Sequence, residues 1–236
     1  AAAIITRGRA DAMIAGTTGT RLHPVKTMHA KMWDQLADEP AEFERRCRPF
    51  DLDRCGQVVG EGACSFLLED ESHARARGAE ILGVLLGAGS SCVQRSSGTP
   101  DCGQALVNAM HVALANADLQ PSDIGHVNAN GLSTTEGDKV EARALQEVFG
   151  DDGPPVTALK SYLGNAGSGC GTLELAGSLL GLKHGVVPAT LNYDTPDPEC
   201  PIHVVHGQPA ATTNKVVLSI NVTRCGQASA LIAGAA

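Results

Sequence analysis

Short apolar runs alternate along the chain with longer stretches in which apolar residues recur at helical spacing, the pattern of an α/β protein. Ala1 to Thr6, followed by Arg7-Gly8, reads as the end of a buried helix closed by a glycine cap. Ala12-Met13-Ile14-Ala15 before Gly16 reads as a buried strand, and Cys64 to Glu69 as another. Between them, Thr17 to Cys47 is polar and irregular, with one helix expected around Met28 to Ala37, and Phe50 to Gly56 is turn-like. A helix over Glu71 to Arg77, a strand over Ile81 to Leu86 and a Ser/Gly-rich loop over Ser90 to Pro100 follow. Beyond that loop, helices are expected at Gln104 to Ala117, Lys139 to Phe149 and Leu173 to Leu182. Strands are expected at Ile124 to Ala129, Val156 to Leu159, Ile202 to Val205 and Val216 to Ile220, before a last apolar run at Ala230 to Ala233. The change of rhythm places a division near residue 100, between segments 1–100 and 101–236.

Composition narrows the partners. The formal net charge is −8, and the only basic cluster is Arg45-Arg46-Cys47-Arg48, which argues against nucleic acid or an anionic membrane as the main partner. No apolar run reaches the ~18 residues of a membrane helix, and the first residues lack the basic and long apolar regions of an export signal. With 27 glycines, much alanine and 3% aromatic residues, the interior is expected to be one in which helices and sheets approach closely. The eight cysteines are scattered, with no C-x-x-C pair and no histidine at finger spacing, so they read as reduced thiols of a cytoplasmic protein and no metal site is expected.

Three glycine-bearing loops each follow an expected strand: Asn128 to Thr134, Lys160 to Gly167 and Asn221 to Gln227. Loops at strand ends are where open α/β folds place their sites, so one shared crevice is expected. Val127-Asn128-Ala129-Asn130-Gly131-Leu132-Ser133-Thr134, with Gly137-Asp138 and Glu141, resembles the V-N-A-H-G-T-S-T-x-x-G-D-x-x-E signature of elongating β-ketoacyl-acyl carrier protein synthases. Lys160-Ser161 with Gly164-Asn165 resembles their K-S-x-x-G-H motif. Arg48-Pro49-Phe50-Asp51, Gly60-Glu61-Gly62-Ala63, Gly8 to Gly16 and Val187 to Asn192 are further ordered matches.

The resemblance implies a thiolase-like layered α/β fold of two similar halves. Of these, the chain supplies the end of the first half and the second half. It also implies a homo- or heterodimer, with the missing N-terminal half or a companion ketosynthase chain as partner. Acyl chains would arrive on the phosphopantetheine of acyl carrier protein, with no other cofactor. The family's nucleophilic cysteine would lie upstream of residue 1. Of the family's catalytic positions, Lys160 is retained, but Asn130 and Asn165 both stand where it has histidine. An amide donates a hydrogen bond to an oxyanion but does not take up a proton near pH 7.

Among the positions that would bind substrate, Leu132 offers no hydroxyl where the family usually has threonine, while Thr134 keeps one. In the third loop Thr223 and Cys225 replace two phenylalanines, and Arg224 replaces a glycine at the acyl gate. Asp138 and Glu141 are retained, and a lysine and glutamate from adjacent loops are expected to form a buried ion pair with a structural role. Cys170 and Cys225 near the site read first as small packing residues, and His126, on the strand face shared with Asn128 and Asn130, as a packed histidine rather than a substitute base. Three functions remain open: a non-catalytic or impaired partner subunit like a polyketide chain-length factor, an active acyltransferase whose nucleophile lies on another segment or chain, and, least favoured because it would expose surfaces that the missing half normally buries, a self-standing interaction module.

Overall fold

A computed structural model describes residues 1–37 and 42–236. Its centre is a five-stranded mixed sheet in the order β3 (Val84–Cys92), β9 (Gln227–Gly234), β8 (Val216–Val222), β4 (His126–Asn128) and β5 (Val156–Thr157). The first two junctions are antiparallel and the last two parallel. The strand order places the carboxyl ends of β4 and β5 beside that of β8, so the loops that leave these three strands share one edge of the sheet.

Pleating divides β8 and β9 between two apolar layers. Leu218, Ile220, Ala230 and Ile232 pack with α4 (Cys102–Ala117) and α5 (Thr135–Phe149) on one face. Val217 and Ala233 pack with Leu179 and Leu182 of α7 (Cys170–Lys183) on the other. Helix α7 in turn lies against the antiparallel ribbon of β1 (Ala12–Thr20) and β2 (Glu61–Glu69), Phe66 of β2 joining its apolar cluster. Helices, sheet, helix and ribbon therefore stack in layers, which accounts for a helix as apolar all round as α7. Small residues set the spacing. A Cβ on Gly87 or Gly89 of β3 would lie 2.4 Å from the Ala113 carbonyl oxygen or 2.1 Å from that of Ala109, so α4 rests directly on bare backbone.

The remaining elements are α1 (Ala2–Thr6), α2 (Pro24–Trp33), α3 (Glu71–Ala76), α6 (Lys160–Leu163) and the short pair β6 (Val186–Val187) and β7 (Ala210–Ala211). Several boundaries differ from the sequence expectation. The strand expected to close at Gly16 runs on to Thr20, because β2 offers it a continuous nine-residue ladder. The helix expected over Met28 to Ala37 begins instead at Pro24, a preset first-turn residue, with His23 Nδ1 accepting from Val25 N at 3.3 Å. It ends at Trp33, and the expected span reaches the border of the undescribed residues 38–41.

The strand expected over Ile81 to Leu86 is Val84–Cys92, drawn into the Ser-rich stretch by its pairing with β9; it precedes residue 100 in the chain yet belongs to the central sheet. Ile202 to Val205 makes only an isolated bridge, Val204 to Val156. Helix α5 starts at Thr135, its first turn carrying Glu136 and Asp138 where acids favour the helix dipole, and α7 starts at Cys170. Helix α1 buries none of its residues, contrary to expectation, though Gly8 does take the left-handed conformation after it (φ 63°). Among the described residues no helix is long and apolar enough to cross a membrane.

His126 is fully buried on β4, and neither ring nitrogen has a hydrogen-bond partner. Burial lowers its pKa from 6.5 to about 4, so it is a neutral packed residue. As pH falls from 6.5 to about 4 the unfolded chain takes up a proton that the folded chain refuses, and stability is lost through that interval. The component is worth roughly 3 kcal/mol. His126→Leu is expected to remove it, so that urea-unfolding free energies of the two proteins diverge in the variant's favour between these pH values. Parallel pH curves would sink this account.

Candidate functional site

The three glycine-bearing loops meet at a cleft of roughly 1040 Å³ between the sheet edge, the end of β1 and the segment leading into α2. Asn130, Leu132, Lys160, Asn165 and Thr223 line it; Thr134 and Cys225 do not. Thr134 is instead the residue before α5, its hydroxyl lying over Gly137, where an added Cβ would be 2.4 Å away. Cys225 is exposed on the turn between β8 and β9.

Lys160 is the centre of the arrangement. Its Nζ lies 2.5 Å from Glu174 Oε1 and donates to Asn130 Oδ1 at 3.2 Å and Asn221 Oδ1 at 3.4 Å. Glu174 Oε2 in turn accepts from Asn221 Nδ2 at 3.1 Å. Burial, the largest single effect, lowers the lysine's pKa, but the charges of Glu174, Cys170 and Glu141 and the Glu174 hydrogen bond together outweigh it and the net shift is upward, so the ammonium persists. The partner expected from the sequence was a retained acid of the first motif, and the structure corrects this. Glu141 is taken up by backbone, its two oxygens accepting from Asn130 N at 2.6 Å and Gly131 N at 2.9 Å.

Asp138 likewise serves the scaffold, accepting from Phe50 N at 2.9 Å and lying 3.5 Å from Arg54 Nε. Burial pushes the Asp138 carboxyl up to about 6; burial and the Asp138 charge push Glu141 up to about 8. Arg54 also pairs with Asp197 at 2.7 Å, and Asp51 accepts from Asp194 N and Thr195 N, both at 2.7 Å. The Arg48-to-Arg54 segment thereby fastens α5 to the loop after Asn192.

The two asparagines are oriented differently. Asn130 gives its carbonyl oxygen to Lys160, so the function it has left is that of an N–H donor. Asn165 donates to Gln57 Oε1, while its own carbonyl oxygen accepts from Gly167 N at 2.8 Å. The Asn165 loop is held against β1 by direct backbone contact: a Cβ on Gly19 would stand 1.6 Å from the Ala166 carbonyl oxygen. No histidine lines the cleft among the described residues. Cys170, behind Asn165, is buried, and desolvation raises its pKa, the opposite of an activated nucleophile.

Arg224 lies across the mouth. Its Nη1 donates to the Trp33 carbonyl oxygen at 2.9 Å, and its guanidinium stands 5.7 Å from the centre of the Trp33 ring. It thus ties the β8–β9 turn to the end of α2. Glu174 and the Arg54–Asp197 pair were not singled out from the sequence. A lone acid inside the apolar helix Cys170–Lys183 was the available sign of Glu174, since a buried charge needs a partner.

A layered stack with strand-end loops converging on one cleft defines a thiolase-like protein. The chain belongs to the β-ketoacyl synthase family: the family's N-terminal domain matches residues 1–74 and its C-terminal domain residues 82–194. The 3-oxoacyl-[acyl-carrier-protein] synthase 2 of Mycobacterium tuberculosis is 39% identical over 207 residues, 87% of this chain and 50% of the relative. A type II PKS acyl-carrier protein in complex with its ketosynthase bound to the hexaketide superposes with a TM-score of 0.92 at 30% identity, covering 99% of this chain and 58% of the other. The ishigamide ketosynthase/chain length factor gives 0.90 at 28% identity, covering 100% and 56%. The chain spans about half the length of the relatives it matches.

Substitutions at two contacts test the geometry. Lys160→Met leaves Glu174 buried and unpaired and is expected to cost about 3 to 5 kcal/mol, most of it recovered in Lys160→Met/Glu174→Leu. Urea unfolding of the two variants measures this, and equal losses in both would contradict it. Gly19→Ala is expected to destabilise by about 3 kcal/mol or more, because the new methyl group runs into the Ala166 and Gly169 backbone that follows Asn165. A melting temperature unchanged from the parent would refute that contact.

Proposed function

We propose that this chain is part of a ketosynthase-fold subunit of fatty acid or polyketide biosynthesis that binds acyl chains without carrying out full condensation, in the manner of a chain-length factor. The observation that carries the reading is the pair of amides at the cleft, Asn130 and Asn165, with Asn130 held by Lys160 so that it offers donors and no proton acceptor. Oxyanion stabilisation by N–H groups survives such an exchange; general acid–base help, worth roughly 10²- to 10⁴-fold, does not. Acyl carrier protein, delivering chains on phosphopantetheine, and a companion ketosynthase chain in the cytoplasm are the partners this reading requires. The structural relatives named above as a carrier-protein complex and as a ketosynthase with its chain length factor support it by analogy.

The alternative, an active condensing enzyme with its cysteine elsewhere, is favoured by the intact Lys160–Glu174 pair. The full-length protein with its companion chain distinguishes the two. Asn130→His/Asn165→His is expected to raise malonyl-thioester decarboxylation by roughly 100-fold if the site is disarmed only at these positions. A parent protein already turning over at the variant's rate would decide for the active enzyme.

A further inference from the structure

Outside the lysine-centred site, three of the eight cysteines gather at one corner, where β3 ends, α4 begins and the β8–β9 turn folds back. Cys92, on β3, is the cross-strand partner of Gln227. Cys102 opens α4, and its Sγ lies 3.5 Å from the Thr223 carbonyl oxygen. Cys225 sits on the turn itself, its N–H donating to Thr223 Oγ1 at 3.3 Å. The corner is stiff: Gly226 N donates to Thr223 O at 3.0 Å, Val93 N to Gly226 O at 3.2 Å and Asp101 N to Val93 O at 2.9 Å. The sulfur of Cys102 is thus held against the backbone on the N-terminal side of Cys225, and the Gly226 amide on the C-terminal side also acts on it.

We propose that Cys102 and Cys225 are a thiol-modification site, a redox pair whose disulfide fastens the β8–β9 turn to the start of α4. Two observations converge on it. The corner brings both residues to one turn, and both residues reach solvent, Cys225 exposed and Cys102 partly so. The consequence reaches the cleft, because Thr223 and Arg224 of the same turn line it and Arg224 holds Trp33 across its mouth. A disulfide locks the turn covalently in the clasped geometry; in the dithiol only hydrogen bonds hold it there.

The oxidant is a low-molecular-weight disulfide. Cys225, as thiolate, attacks one of its sulfurs, the reagent's S–S bond breaks and one thiolate leaves. Cys102 then loses its proton to solvent and attacks the Cys225 sulfur of the mixed disulfide, expelling the second thiolate. Two protein thiols are oxidised to one disulfide and the reagent is reduced to two thiols. The order follows from the surroundings: burial, with the neighbouring Asp101 and Cys225 charges, raises the Cys102 pKa, which makes it the slower, second partner.

The reduced protein is equilibrated with glutathione disulfide, acid-quenched and alkylated, and its tryptic peptides are mapped. Tryptic cleavage separates the three thiols, since Cys92, Cys102 and Cys225 fall in peptides 78–95, 96–139 and 225–236. The expected result is a link between the last two and an intact mass lower by about 2 Da. Cys102→Ser is expected to leave only a glutathione adduct on Cys225. In the native oxidised protein, trypsin is expected to cut after Arg224 about fivefold more slowly than in the reduced one. Adducts on both cysteines without a link, no reaction, a link from either to Cys92, or an unchanged cutting rate would each overturn the proposal.

Discussion

A single buried ammonium group governs the arrangement of this molecule. Lys160 is removed from water, a state tolerable only with a countercharge and a full set of acceptors. It obtains the countercharge from Glu174 on α7 and acceptors from Asn130 and Asn221. Those partners come from the central helix, the loop after β4 and the end of β8. The layers of the fold and the three loops of the cleft are therefore tied at one point, and the loops cannot separate without exposing an unpaired buried charge.

The same economy appears in the close approaches around it. Backbone amides of Asn130 and Gly131 end on the Glu141 carboxyl group, Phe50 ends on Asp138, and the Asn165 loop lies on the bare backbone of Gly19. Each contact replaces a side chain that would otherwise fill the space. With few aromatic residues available, the chain positions its loops through small residues and carboxylate-to-amide bonds, and rigidity at the cleft comes from these rather than from bulky packing.

Much of this was legible in the sequence, for identifiable reasons. Glycine-punctuated loops after strands are local signals, and the motifs around Asn130 and Lys160 carried the family and the cleft with them. Strand and helix limits were less accessible. The ladder that extends β1 through Gly16 to Thr20 is supplied by β2, more than forty residues away in sequence, and β3 is extended by the last strand of the chain. Pairing was the least legible. Lys160 was visible, but that its charge would be met by Glu174, with Glu141 spent on backbone amides, depends on how α7 is inserted between sheet and ribbon.

That insertion also bears on what an asparagine means at position 130. In a solvated loop, an amide could rotate and present either its oxygen or its nitrogen to a ligand. Here the lysine ammonium claims the oxygen, and the ammonium is itself fixed by Glu174 and Asn221. The donor face is therefore a consequence of the ion pair, and so is the absence of a proton acceptor at that position. A histidine in the same place would meet the same cation, which disfavours the imidazolium and favours a neutral ring. The scaffold thus suits a neutral hydrogen-bonding group at position 130, whether amide or imidazole, and the electrostatic framework of the cleft serves both.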